Sequence, residues 1–116
     1  MPSSTYNLFA QAMEDRKQIL CSYNGYRREI CPIILGHKKD GQEVALVYQF
    51  CGESSDALPP RGGWKCFWLS KTKDVRLRDG PWRAGSSHEQ TQRCVDIVDL
   101  DVNPFSPYKP RRRLTR

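Results

Sequence analysis

The chain has 116 residues, 38% of them hydrophobic and 28% charged, which suits one soluble domain with a modest core and excludes a disordered or two-domain chain. No apolar run approaches the roughly 20 residues that span a bilayer, and the start, Met1 to Tyr6, lacks the basic residues and apolar stretch of a secretory signal, so a cytoplasmic location without membrane association is expected. The net charge of +6 suggests nucleic acid until it is located: the last eight residues hold Lys109, Arg111, Arg112, Arg113 and Arg116 and no acid.

Those five leave 14 basic against 13 acidic residues, so the body of the chain carries only +1. Basicity is a tail property. Such a tail either holds phosphates through Lys109, Arg111, Arg112 and Arg113 or is a solvated, flexible end. The five cysteines, Cys21, Cys31, Cys51, Cys66 and Cys94, are odd in number and contain no C-x-x-C pair. Four of them lie in apolar or strand-like contexts, where a reduced cysteine acts as a small buried hydrophobe. That reading is favoured over metal binding or redox chemistry, and no metal or cofactor is expected.

Residues 4–18 read as a helix. Ser3, Ser4 and Thr5 offer capping hydroxyls, and Tyr6, Phe9, Ala10 and Met13 recur at helical spacing as one apolar stripe. From Ile19 the period changes to two, and Asn24-Gly25 marks a hairpin because both residues tolerate the positive φ of a type I′ turn. The return strand, Tyr26 to Leu35, contains Pro32, which donates no ladder hydrogen bond and so predicts an edge or a bend there. Asp40-Gly41 is a second turn signal. It leads into Glu43 to Phe50, with Val44, Leu46, Tyr48 and Phe50 on one face and Ala45, Val47 and Gln49 on the other.

Residues 52–63 are rich in Gly, Ser and Pro and read as a long loop. Strand character returns at Trp64 to Ser70, where Trp64, Cys66 and Trp68 oppose Phe67 and Leu69, and again around Val75 and Leu77. Residues 83–93 are polar and loop-like. Cys94 to Val102 alternates acids with apolar residues, suggesting a strand added to the edge of the body. Pro104, Pro107 and Pro110 then mark an extended tail. The expected organisation is a domain over 1–80, an extension over 81–103 and a flexible Pro/Arg-rich tail over 104–116.

A helix, about five short strands, tight turns and one long loop suggest a small β-barrel. The run Phe9 to Met13, then Ile19 to Gly25, then Arg28 to Leu35 resembles the opening of a WYL domain. In that family a helix precedes a strand ending in Tyr, followed by an Arg four residues before a Pro. Val44-Ala45-Leu46 stands in the place of the naming Trp-Tyr-Leu triplet, of which Leu46 alone is kept, with Tyr48 two residues later. Trp64 to Thr72 resembles the closing run, with Lys65 and Lys71 in place of two arginines and Trp68 in place of the third. The resemblance covers residues 6–78. It implies a mainly β fold with an N-terminal helix, a small SH3-like or Sm-like β-barrel of about five strands. It also implies the ligand- or nucleic-acid-sensing role of the WYL domains in bacterial transcription regulators, here without the helix-turn-helix that usually precedes them.

No catalytic constellation is complete in the sequence, and no enzyme activity is expected. His37 and His88 lie in polar turns outside any nucleophile or metal motif, and Asp96, Asp99 and Asp101 alternate as the outward face of a strand would. A binding role needs cations beside flat apolar surface, which points to Arg27, Arg28, Tyr48, Lys65, Trp68 and Lys71, with a nucleotide or single-stranded nucleic acid as partner. The alternative is a protein-interaction or oligomerisation subunit, homo-oligomeric or with a partner protein, that uses exposed strand edges and Trp64 and Trp68. Those two tryptophans are either binding surface or packing surface covered by the C-terminal segment or a second copy.

Overall fold

The computed structural model describes residues 3–52, 63–81 and 94–102, and the backbone of 112–113. The fold is mainly β with one N-terminal helix. Helix α1 spans Ser4–Asp15; the Ser3 hydroxyl accepts from the Tyr6 amide, and Phe9, Ala12 and Met13 are buried on one face. It stops three residues short of the expected end. Arg16 adopts a left-handed conformation (φ 53°), and the Lys17 amide donates to the Ala12 carbonyl at 2.9 Å, a Schellman-type closure. Glycine usually takes that position, so the sequence carried no stop signal there.

Strands β1 (Gln18–Tyr23) and β2 (Tyr26–His37) form the expected hairpin. Asn24 and Gly25 have φ of 52° and 80°, as a type I′ turn requires. Strand β3 (Glu43–Gly52) pairs along β2, with register shifts near Glu29 and Pro32. Strand β4 (Gly63–Trp68), a 3-10 turn (Leu69–Lys71) and β5 (Thr72–Arg78) follow. The open sheet has the order β4-β3-β2-β1-β5, with antiparallel pairing throughout this path. A flat sheet would hold β4 and β5 roughly 19 Å apart, yet only three residues join them. The sheet must therefore curl, and the Trp68 amide donating to the Tyr23 hydroxyl at 3.2 Å ties the end of β4 to the end of β1.

Strand β6 (Ile97–Asp101) pairs with the second half of β2, Ile34 to His37, on the side where β1 has ended at Ile30. Pro32 falls in the gap between these two partners, which is how a strand buried on both faces tolerates it. Gly36 makes this approach feasible, because a Cβ there would lie 1.9 Å from the Ile97 carbonyl oxygen. The tail read as flexible contributes a short strand, β7 (Arg112–Arg113), parallel to Leu100–Asp101. Among the described residues no helix is long and apolar enough to cross a membrane.

The curled sheet carries apolar residues on both faces. Inside, Phe9 and Met13 of α1 meet Ile19, Ile30, Val47 and Phe67. Outside, Ile33, Val44 and Leu46 are covered by Cys94, Val95 and Val98, with Trp64 and Trp68 packed at the margin. Both tryptophans pack against the cluster that contains Cys94, Val95 and Val98. The acids of β6 depart from the expected outward face. Asp99 and Asp101 are 9% and 1% exposed, and Asp96 alone of the three is exposed. β6 is not an outer edge but a filling between β2 and β7, so alternation there does not divide core from solvent.

Candidate functional site

Arg28 lies opposite Cys21 in the β1–β2 ladder. Its parity with Ile30 turns it to the inner face, where it is only 4% exposed. Its Nη1 donates to Gln49 Oε1 at 3.2 Å and its Nη2 to the Tyr23 carbonyl at 3.4 Å. The guanidinium sits 5.2 Å from the ring centre of Tyr23, 5.6 Å from that of Tyr26 and 5.4 Å from that of Phe67. Such ring contacts each contribute roughly 0.5–2 kcal/mol. No carboxylate among the described residues pairs with Arg28, and its Nε is buried without a hydrogen-bond partner. A guanidinium removed from water and held only by neutral acceptors and ring faces keeps most of its attraction for an anion. Burial pushes the neighbouring Cys21 thiol up to about 12, with Arg28 opposing that rise. Cys21 is accordingly a protonated core thiol and not a nucleophile.

Beside Arg28 a groove of about 670 Å³ runs over β5, β1 and β2. Leu20 and Ser22 line it from β1, Arg27 and Glu29 from β2, and Asp74, Arg76 and Arg78 from β5. The ladders place Arg76, Leu20 and Glu29 in one cross-strand row, with Ser22 and Arg27 in the next. A register shift between β1 and β5 coincides with Asp74 at φ 54°, a bulge of the kind that re-aims neighbouring side chains. Arg78 is committed to the fold: it pairs with Glu29 Oε1 at 2.6 Å and donates to Gln18 Oε1 at 2.6 and 2.9 Å. Arg27 and Arg76 are exposed. Four arginines against Glu29 and Asp74 give the groove a net +2.

The six residues expected to bind are not gathered in one place. Arg27 and Arg28 line the groove; the other four do not. Tyr48 and Trp64 are a cross-strand pair with rings edge to face at 5.3 Å. Trp68 takes the Lys38 ammonium over its ring at 5.6 Å. Tyr48 and Trp68 both belong to the outer cluster. Lys65 is opposite Val47 on β4, and Lys71 is exposed in the 3-10 turn. Of the tail cations, Lys109 and Arg111 lie outside the described residues, and Arg112 and Arg113 form β7. Arg76 and Arg78 were missed. Their alternation with Val75 and Leu77 puts them on one face, but only the β1–β5 ladder brings that face beside Arg27.

Two further clusters differ from the sequence reading. Cys66 and Cys94 form a disulfide, against the favoured reading as reduced core cysteines, while Cys21 and Cys31 are buried and outside any disulfide, as that reading has them. The pairing partners are 28 residues apart, so spacing could not reveal them; the side chain of Cys51 and all of His88 lie outside the described residues. His37 lies at the end of β2 and not in a polar turn. Its Nδ1 is 2.9 Å from Asp99 Oδ2, the same oxygen that accepts from the Tyr6 hydroxyl at 2.7 Å, and the Tyr6 and His37 rings stack at 5.6 Å. This cluster ties α1, β2 and β6 together. Among the described residues no three His, Cys, Asp or Glu side chains converge as metal ligands would. No family model, no curated protein and no solved structure matches the chain.

Proposed function

We propose that this chain is a binding module for a phosphate-bearing ligand, with single-stranded nucleic acid as the extended form of that ligand. The observation that carries the reading is the cationic groove with Arg28 behind it, a buried guanidinium without a carboxylate partner among the described residues. Arg27 and Arg76 stand on strands to either side of β1, about 10 Å apart across the sheet, wider than a single phosphate. Ser22 between them supplies a neutral hydroxyl, and Leu20 an apolar surface for a sugar or base. The curl of a five-strand sheet whose ends are joined by three residues supports an SH3-like or Sm-like barrel. With the resemblance of residues 6–78 to WYL domains, it supports a sensor role of the kind those regulators have.

The test is titration of labelled oligothymidylate, oligouridylate and common nucleotides by fluorescence anisotropy over a salt series. Binding that weakens steeply with salt is expected, with a log–log slope reduced by about two in the Arg27→Ala/Arg76→Ala variant. No binding of any of these ligands at low salt would sink the proposal.

The second reading, a protein-interaction or oligomerisation subunit, is favoured by the outer edges of β4 and β5, which have no strand partner among the described residues. Light scattering separates the two readings: a monomer across the micromolar range argues against self-association.

A further inference from the structure

Residues 94–96 lie across the outer face of the sheet as a strap. Cys94 Sγ is 3.3 Å from the Ala45 carbonyl oxygen on β3, and the disulfide carries the strap on to Cys66 of β4. At the other end the Asp96 amide donates to the His37 carbonyl at 3.1 Å, and the Asp96 carboxylate accepts from the Lys39 amide at 3.2 Å. Only from Ile97 onward does a ladder with β2 hold the chain. Val95, 3% exposed, is packed by this strap into the outer cluster with Val44 and Leu46.

The two cysteines are unequally exposed. Cys66 is an exposed residue on β4, whereas Cys94 is 7% exposed. Disulfide exchange proceeds by in-line attack of a thiolate on an accessible sulfur, with the other sulfur leaving. Here attack falls on Cys66 and the strap's own cysteine is the leaving group.

We propose that the Cys66–Cys94 disulfide is a reversible redox latch, opened by a dithiol reductant, that releases residues 94 and 95 from the outer face of β3 and β4, while Asp96 stays fastened to His37 and Lys39. One thiolate of the reductant bonds to Cys66 Sγ as the S–S bond breaks, and Cys94 departs as a thiolate that takes up a proton. The second thiol of the reductant then displaces Cys66. The protein gains two electrons and two protons, and the reductant leaves as its own disulfide. The inner core and β6 stay in place because neither depends on the bond: the first is closed by α1, the second by its β2 ladder. Opening uncovers Val44, Leu46 and the flanks of Trp64 and Trp68, so the redox state sets how much apolar surface the outer face presents.

The test combines site-resolved alkylation with amide hydrogen exchange on the full chain, purified without reductant and then treated with dithiothreitol. Before treatment Cys66 and Cys94 should resist iodoacetamide; after it both should be labelled. Exchange at residue 95 should rise by about tenfold or more while that of Asp96, Ile19 to Tyr23 and Val44 to Val47 is unchanged. Removal of the reductant in air should reverse both effects, and Cys94→Ser should show the open pattern without reductant. Labelling of both cysteines before reduction would overturn the proposal, as would a disulfide that dithiothreitol leaves intact in the folded chain. Unchanged exchange after reduction would make the bond a passive staple, and exchange rising throughout the sheet would make it a fold requirement; either result overturns the latch.

Discussion

The outer face of the sheet is finished in two opposite ways. Over β2, β3 and β4 it is apolar, and a strap fastened by a disulfide covers it. Over β5, β1 and β2 it is cationic and open, with a groove left between arginines. The difference follows from the side chains. Val44, Leu46 and Tyr48 gain by leaving water, roughly 1.5–3 kcal/mol for each large side chain buried, so a covering segment is stabilised there. Arg27 and Arg76 would lose their hydration under the same cover, and both stay exposed. Trp64 and Trp68, which the sequence leaves open between binding and packing surface, are partly buried against this apolar cluster.

The comparison can be broken or sharpened by substitution. Phe67→Ala removes a ring at the centre of the inner cluster, stacked on Tyr23 at 4.2 Å and facing Arg28. A loss of about 3–5 kcal/mol in urea unfolding is expected, together with weaker anion binding as Arg28 loses a wall of its cage. An effect under 1 kcal/mol would show that the inner face does not hold the fold. Cys66→Ser/Cys94→Ser tests the strap: removing a cross-link between residues 28 apart should cost about 3–4 kcal/mol. Oxidised wild type should lose a similar amount on reduction, while the double variant should be indifferent to reductant.

Tyr6→Phe tests the cluster that ties α1 to β6. Deleting a hydroxyl that donates to Asp99 should cost about 1–2 kcal/mol, read by thermal denaturation. The open face should be the least sensitive in stability: Arg27→Ala/Arg76→Ala should stay within about 0.5 kcal/mol of wild type while weakening anion binding. A large stability loss there would show that these arginines are structural. Cys21 supplies a pH signature. Burial pushes its folded thiol up to about 12, above the usual cysteine range. Its contribution to stability is therefore full below pH 9 and is lost as pH rises towards 12, because only the unfolded chain ionises freely there. Cys21→Ala should flatten that part of the pH–stability curve.

Local patterns carried most of the body of the fold. The capping serine, the helical stripe, the Asn24-Gly25 turn and the two-sided alternation of β3 are each written in neighbouring residues and appear as read. Helix α1 ended early because its stop is an arginine in a left-handed conformation, which composition does not announce. Arg28 was legible as a cation in a strand, but its burial without a carboxylate partner among the described residues was not. That burial depends on Tyr23, Phe67 and Gln49 arriving from three other strands.

What the sequence by itself determined is therefore the set of elements: one helix, its buried stripe, the hairpin and the apolar strands. Hydrophobic period and turn chemistry act over a few residues and need no distant partner. Only the tertiary structure decided which surfaces meet. It brought Arg76 and Arg78 beside Arg27 through the β1–β5 ladder, joined Cys66 to Cys94, and buried Asp99 beneath Tyr6 and His37. Each of these contacts joins residues far apart in the chain. Their spacing carries no signal, because loop closure depends only weakly on length.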